Sequence, residues 1–204
     1  AYVGICGTDI HMLQTDADGY VKSSAPARIP EEGRIFGHEG VGRIGAIGKN
    51  VRDFTVGDWV ALESILTCNR CEPCRRGQFN QCHQAQLIGL QEDGMFASMA
   101  DIPAKLAHNI NDMVASHPDG FRAAACLEPA GVAWTACEKA AITGHDRVLI
   151  LGAGPSGIFC AMLRRRVVGA QHISIVDPVP FRHELASTWC DRTSGSLAKV
   201  LASG

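Results

Sequence analysis

Cys68, Cys71, Cys74 and Cys82 stand at C-x2-C-x2-C-x7-C spacing. Four thiolates gathered by short loops suit the tetrahedral, all-sulfur coordination of structural zinc, which leaves no position open for a substrate. The residues between them, NR, EP and RRGQFNQ, are polar, so these thiols have no core to fill. A closed site of this kind stabilises a loop and performs no chemistry itself. Other zinc-competent residues are scattered: Cys6 in GICGTDIH, His38 and Glu39 in FGHEG, and Glu128 in CLEPAG. They lie about thirty and ninety residues apart, so only a fold can assemble them. Taken singly, each also reads as an ordinary buried thiol, a core imidazole or a carboxylate at a helix N-terminus.

A third feature is the run RVLILGAGPSG, residues 147–157, with Gly152, Gly154, Pro155 and Gly157 in a GxGxxG turn. In such a turn the first glycine permits the tight bend, the second lets backbone approach a pyrophosphate, and the third lets helix pack on strand. Asp177 follows twenty residues beyond Gly157, at the end of the next apolar run. An acid there accepts hydrogen bonds from both ribose hydroxyls and repels a 2′-phosphate, which favours NAD over NADP. Arg182 is too weak a counter-signal to reverse that preference.

These groups need elements to hold them. Residues 1 to about 125 are rich in glycine and short apolar stretches, such as VGRIGAIG (41–48) and DWVAL (58–62), which suits an irregular β domain. From about 127 the texture changes. Residues 129–142 read as a helix opened by proline, Arg147–Leu151 as a buried strand, Ser156–Val168 as a helix and His172–Val176 as a strand. Strand, helix and strand in that order signal a parallel βαβ unit, with a domain boundary near 126–130. The arginine run 164–166 reads as a solvated face near a helix C-terminus. Cys137 and Cys160 read as helix packing residues. Cys190 and the remaining histidines receive no role.

Composition narrows the classes. With 46% hydrophobic and 20% charged residues among 204, the chain has the apolar content of a soluble globular protein. A net charge of −2 gives no reason to expect nucleic acid or an anionic membrane as partner. No apolar run approaches the roughly 18–20 residues needed to span a bilayer. Nine cysteines, four of them crowded into one short segment, favour metal binding in a reducing compartment over a disulfide framework. A cytoplasmic location is the expectation.

The run Gly37–Val51, GHEGVGRIGAIGKNV, resembles the zinc signature of the medium-chain alcohol dehydrogenase family, G-H-E-x2-G-x5-G-x2-V, at every defined position. The C-G-T-D-x-H setting of Cys6, the four-cysteine lobe and the GxGxxG turn fall in that family's order. The resemblance covers residues 1 to about 185. It implies a mixed fold: a β-rich GroES-like catalytic domain over 1–127, N-terminally incomplete, then an incomplete, doubly wound NAD-binding Rossmann domain over 128–204. It implies two zinc ions per chain, one structural in the lobe and one catalytic on Cys6 and His38, with Glu39 a third ligand or a close neighbour. Glu128, in an E-P step, resembles the polyol, glucose and threonine dehydrogenase branches, with Cys126 the rival ligand. Thr8 and His11 resemble the hydroxyl and imidazole that pass a proton to solvent, and Asp9 is a candidate acceptor that orients a ligating histidine. The alternative for Thr8 and Asp9 is helix capping.

The activity implied is hydride transfer between NAD and a secondary alcohol of a polyol, sugar or amino alcohol. Partners are then a small-molecule alcohol and, for the full-length protein, further copies of itself in a dimer or tetramer. Two rival readings stand beside it. One is a non-enzymatic zinc module, which would need more basic and aromatic surface than Arg70, Arg75, Arg76 and Phe79 supply. The other is a truncated, inactive piece, since family members carry further strands at both ends. On that view TSGSLAKVLASG (193–204) does not form the expected third βα unit, and residues beyond about 145 are poorly stable because two strands cannot bury both faces of a parallel sheet.

Overall fold

The computed structural model describes residues 1–20 and 28–202. The chain divides into two compact units, Ala1–Glu128 and Pro129–Gly204.

In the first unit, in chain order, come β1 (Tyr2–Gly4), α1 (Gly7–Met12), β2 (Glu39–Arg43), β3 (Trp59–Leu62), β4 (Ile65–Leu66), α2 (Glu72–Arg75), β5 (Gln86–Leu87), β6 (Ala107–Asn109), α3 (Asn111–Ser116) and α4 (Gly120–Ala124). Among the described residues β1, β2, β3 and β6 form an antiparallel sheet in that order, and β4 and β5 pair separately. The short apolar runs become these strands because each can bury one face: Val41 and Ala61 lie opposite one another and pack with Ile110, Ala124 and Ala125. On a second cluster Ile88, Met95 and Leu106 pack with Val3 and Leu62. Backbone bonds tie residues 94–96 to 35–37: Gly94 N–H to Ile35 O (2.7 Å), Phe96 N–H to Phe36 O (2.9 Å) and Met95 N–H to Gly37 O (3.0 Å). The approach to β2 is therefore walled before β2 begins. An irregular, β-rich unit is what the sequence led us to expect, and it is found.

The second unit takes up α5 (Leu127–Lys139), which begins just before the division, then β7 (Arg147–Leu151), α6 (Pro155–Leu163), β8 (His172–Val176), α7 (Pro180–Ser187), β9 (Arg192–Ser194) and α8 (Leu197–Leu201). Strands β7, β8 and β9 are parallel and adjacent in that order, with Leu149 opposite Ser174 and Ile175 opposite Thr193. The core is one face of this sheet, Ile173 and Ile175 packed with Val148, Ile150, Ala161 and Ala186.

Five expectations are corrected here. Helix α5 covers 127–139 rather than 129–142, so Pro129 sits inside the first turn, where no intrahelical donor is lost. Helix α6 stops at Leu163 and continues as a wider π-type turn, Arg164–Val168, closed by Gly169 at φ 74°. Strand β7 is not buried throughout: Leu149 and Leu151 are exposed, and only Val148 and Ile150 face the core. Of the arginine run only Arg166 is exposed. Arg164 is buried and donates to the Ile142 carbonyl, Arg165 binds the carbonyls of Ala170 and Gln171 and the Asp191 carboxylate, and Arg166 lies over the Trp189 ring.

The fifth correction concerns the tail. Arg192–Ser194 forms a third parallel strand and Leu197–Leu201 a helix, leaving only residues 203–204 of that stretch outside the described residues. Its short, polar strand carries almost no apolar signal. Asp191 holds it instead, its carboxylate accepting from Ile173 N–H (2.7 Å) while its own N–H donates to Ile173 O (2.8 Å).

Candidate metal and cofactor sites

The β1–β2 register places Gly4 opposite Glu39. Two residues past the end of β1, Cys6 comes together with Glu39, the first residue of β2, and with His38 just before it. Asp9, buried in the first turn of α1, fixes this approach. Its carboxylate accepts from Cys6 N–H (2.8 Å) and from Gly37 N–H (3.2 Å), one contact on each segment. Capping of α1 and orientation of the GHE loop are thus one act of one side chain. The result is a group in which the Cys6 thiol, one His38 nitrogen and one Glu39 oxygen lie within 4.8 Å of one another. Gly4 is part of the cradle, because a Cβ there would overlap Glu39 Oε2.

The electrostatics are those of acids held in a dry place. Burial pushes the Cys6 thiol up, against hydrogen bonds from the Thr8 backbone and hydroxyl that favour its thiolate. Burial likewise raises the Glu39 carboxyl; a hydrogen bond with Cys6 pulls it back and the nearby Asp9 charge adds to the rise. His38 is 3% exposed, and its Nδ1 is buried with no hydrogen-bond partner, 3.6 Å from Asp9 Oδ1. That is the arrangement in which a ligating histidine turns its second nitrogen towards a carboxylate. With sulfur, nitrogen and oxygen donors converging, the residues fit a zinc ion that keeps a coordination position free.

Glu128 stands beside this group, outside the 4.8 Å set. It lies in the first turn of α5, and its carboxylate accepts a hydrogen bond from Ser64 Oγ (3.2 Å). Burial raises its pKa most; the field of His38 opposes this and that of Glu39 reinforces it, so the carboxylate lies within their electrostatic reach. Cys126 is exposed and also feels Glu39, though burial of its sulfur is the larger cause of its raised pKa. His11 is exposed in the last turn of α1, outside the group. Ser64 carried no signal in the sequence; only the fold brings it to Glu128.

Cys68, Cys71, Cys74 and Cys82 have their sulfurs within 4.8 Å of one another. Backbone amides aim at them: Cys71 N–H at Cys68 Sγ (3.4 Å), and Cys68 N–H (3.3 Å) and Gln84 N–H (3.4 Å) at Cys82 Sγ. Backbone donors lower Cys68 to about 6, while burial drives Cys74 to about 12. Four sulfurs this close, with backbone donors aimed at two of them, fit a closed four-sulfur site for structural zinc. Cys137 and Cys160 lie together at the contact of α5 and α6, Cys137 Sγ 3.9 Å from Cys160 O and Cys160 Sγ 3.8 Å from Ala133 O.

In the second unit Gly152 adopts φ 105° and Gly154 precedes Pro155, the first residue of α6. A Cβ at Gly157 would overlap the Gly152 carbonyl oxygen, whereas one at Gly154 would meet nothing within 4 Å. Asp177 is 2% exposed. Its carboxylate accepts from Ala153 N–H (2.8 Å), Val179 N–H (2.8 Å) and Arg182 (3.1 Å), and these bonds hold its pKa below the ordinary carboxylate value. Arg182, weighed in the sequence only as a signal against NAD, is an ion-pair partner of Asp177.

An antiparallel β unit with two thiol-bearing groups of metal-ligand type, followed in the chain by a parallel sheet with a dinucleotide turn, has the order of parts of a zinc-type medium-chain dehydrogenase. The pattern of the alcohol dehydrogenase GroES-like domain matches residues 1–112, and the chain belongs to that family. It is 40% identical over 200 residues to an L-threonine 3-dehydrogenase of Aeromonas hydrophila subsp. hydrophila, covering 98% of this chain and 54% of that protein. Among solved structures it is similar to a short chain alcohol dehydrogenase from E. coli CFT073 complexed with cofactor NADH, at TM-score 0.82 and 30% identity over 98% of this chain and 56% of the other. It is also similar to galactitol-1-phosphate dehydrogenase from Escherichia coli, at TM-score 0.78 and 28% identity over 95% and 51%. The chain spans about half the length of the curated relatives it matches. No helix among the described residues is long and apolar enough to cross a membrane.

Proposed function

We propose that this chain carries the zinc-bearing catalytic part, and the opening of the cofactor domain, of an oxidoreductase that transfers hydride between NAD and a secondary alcohol of a polyol, sugar or amino alcohol. The observation that carries this reading is the convergence of Cys6, His38 and Glu39 beside a separate four-thiol lobe in one unit. Zinc with an open position supplies Lewis acidity, which eases loss of the hydroxyl proton that must precede hydride departure.

In this reading the chain's own residues divide the work. Cys6, His38 and Glu39 hold the catalytic ion, Cys68, Cys71, Cys74 and Cys82 the structural one, giving two zinc ions per chain. Asp9 orients His38 and spaces it from Cys6. Glu128, rather than Cys126, belongs to the catalytic surroundings, because its carboxylate is half-buried and coupled to His38 while the Cys126 side chain stands exposed. Thr8 stands at the Cys6 thiol and would, with His11, carry the proton outward.

The glycine turn would take the cofactor's pyrophosphate at the α6 N-terminus, over the open Gly154 backbone. Asp177, already fixed to Ala153 N–H, would accept from the ribose hydroxyls and disfavour a 2′-phosphate.

The test is zinc content with kinetics. Wild type should hold two zinc ions and reduce NAD with a secondary alcohol. Cys6→Ser should lose one ion and turnover together, and Asp177→Ser should narrow the preference for NAD over NADP. A single ion that survives Cys6→Ser and vanishes in Cys71→Ser would remove the catalytic-zinc reading.

A further inference from the structure

Ser64 lies between β3 and β4, is 1% exposed, and is pinned by backbone on both sides. The preceding residue, Glu63, donates its N–H to Leu106 O (2.8 Å), and Ser64's own carbonyl accepts from Ile88 N–H (2.9 Å). Its hydroxyl is therefore carried on a backbone that cannot drift. A buried hydroxyl needs an acceptor, and the one this hydroxyl takes is Glu128 Oε1 at 3.2 Å, sixty-four residues away in sequence.

Glu128 itself comes from a different kind of element, the first turn of α5, with three rotatable side-chain bonds between backbone and carboxylate. Helix position alone does not choose among the rotamers of such a side chain. One hydrogen bond from a fixed donor does, by tying one oxygen while the carboxylate stays within the electrostatic reach of His38 and Glu39. Partners of this kind, which touch a metal's surroundings only through another residue, govern affinity by about 10–100-fold in zinc proteins.

We propose that Ser64 is a positioning residue for Glu128, holding its carboxylate beside the Cys6–His38–Glu39 group so that metal affinity there depends on a hydroxyl between β3 and β4. This rests on the reading of Glu128 as part of the catalytic zinc surroundings.

The experiment is chelator competition on the full chain, with the zinc of the four-cysteine lobe as an internal reference and the visible absorption of cobalt in place of zinc as a second readout. Ser64→Ala should weaken zinc binding at the Cys6-dependent site by about tenfold and perturb the cobalt spectrum, leaving the lobe zinc unchanged. Ser64→Thr, which keeps the hydroxyl, should restore both. On a Glu128→Ala background Ser64→Ala should add nothing. Wild-type affinity in Ser64→Ala, no rescue by threonine, or an undiminished effect without Glu128 would each overturn the proposal while leaving the two-zinc reading intact. A zinc count indifferent to Cys6→Ser would overturn both.

Discussion

The four-cysteine lobe and the Cys6–His38–Glu39 group, two converging sets of metal-ligand residue types in the same unit, are built by opposite means. The lobe is a loop fifteen residues long, from Cys68 to Cys82, shaped by a one-turn α-helix, a 3₁₀ turn over Phe79–Gln81 and amides that point at its own sulfurs. The other group is held by an antiparallel register, by a carboxylate clamped across two segments and by a wall of backbone bonds from residues 94–96. A set of ligands made from one loop depends on its metal to stay in shape. A set made from several packed segments keeps its shape without the metal, and so can leave a coordination position for something else.

That contrast makes predictions of graded size. Cys71→Ser should have the largest effect: the lobe loses its zinc and much of its order, and Tm falls by about 10 °C or more, read by calorimetry with zinc analysis. Cys6→Ser should reverse the pattern, with loss of one zinc and of turnover but a Tm within about 3 °C of wild type. Equal falls in Tm for the two variants would erase the distinction between them.

Asp9→Asn tests the clamp. One carboxylate now serves two amides and faces His38, and its replacement should weaken zinc at the Cys6-dependent site by about tenfold, measured by chelator competition, with the lobe unaffected.

The smallest effect concerns pH. Glu39's folded pKa is raised, so its contribution to stability is present below its unfolded value of about 4.3 and is lost as pH rises through the folded value. In zinc-free protein Glu39→Gln should therefore raise Tm at pH 8 and change it little at pH 4. A rise of the same size at both pH values would show that burial of the charge is not the cause.

The same contrast explains what could be read from the sequence. The lobe was legible from spacing alone, because all its constraints are local. Cys6, His38 and Glu39 were legible only through resemblance, since nothing in a separation of thirty residues encodes the β1–β2 register. The glycine turn was legible because strand, turn and helix are neighbours in the chain. Ser64 was invisible, its meaning residing in a hydrogen bond to a residue in another element. Strand β9 and the buried Arg164 were misread for a related reason: a short polar strand held by Asp191, and a guanidinium satisfied by the Ile142 carbonyl, are stabilised by partners that composition does not display.

Asp9's clamp also sets an order in time. Closing a loop of the lobe's length takes well under a microsecond, and its thiols can meet a metal before any sheet exists, whereas pairing two strands takes microseconds even in an isolated hairpin. The residues Asp9 bridges come together only when β1 has found β2, and Glu128 arrives only when α5 has formed. A refolding chain given two equivalents of zinc should fill the lobe first and the Cys6-dependent site last, so the Cys6–His38–Glu39 group should be the final thing this unit completes.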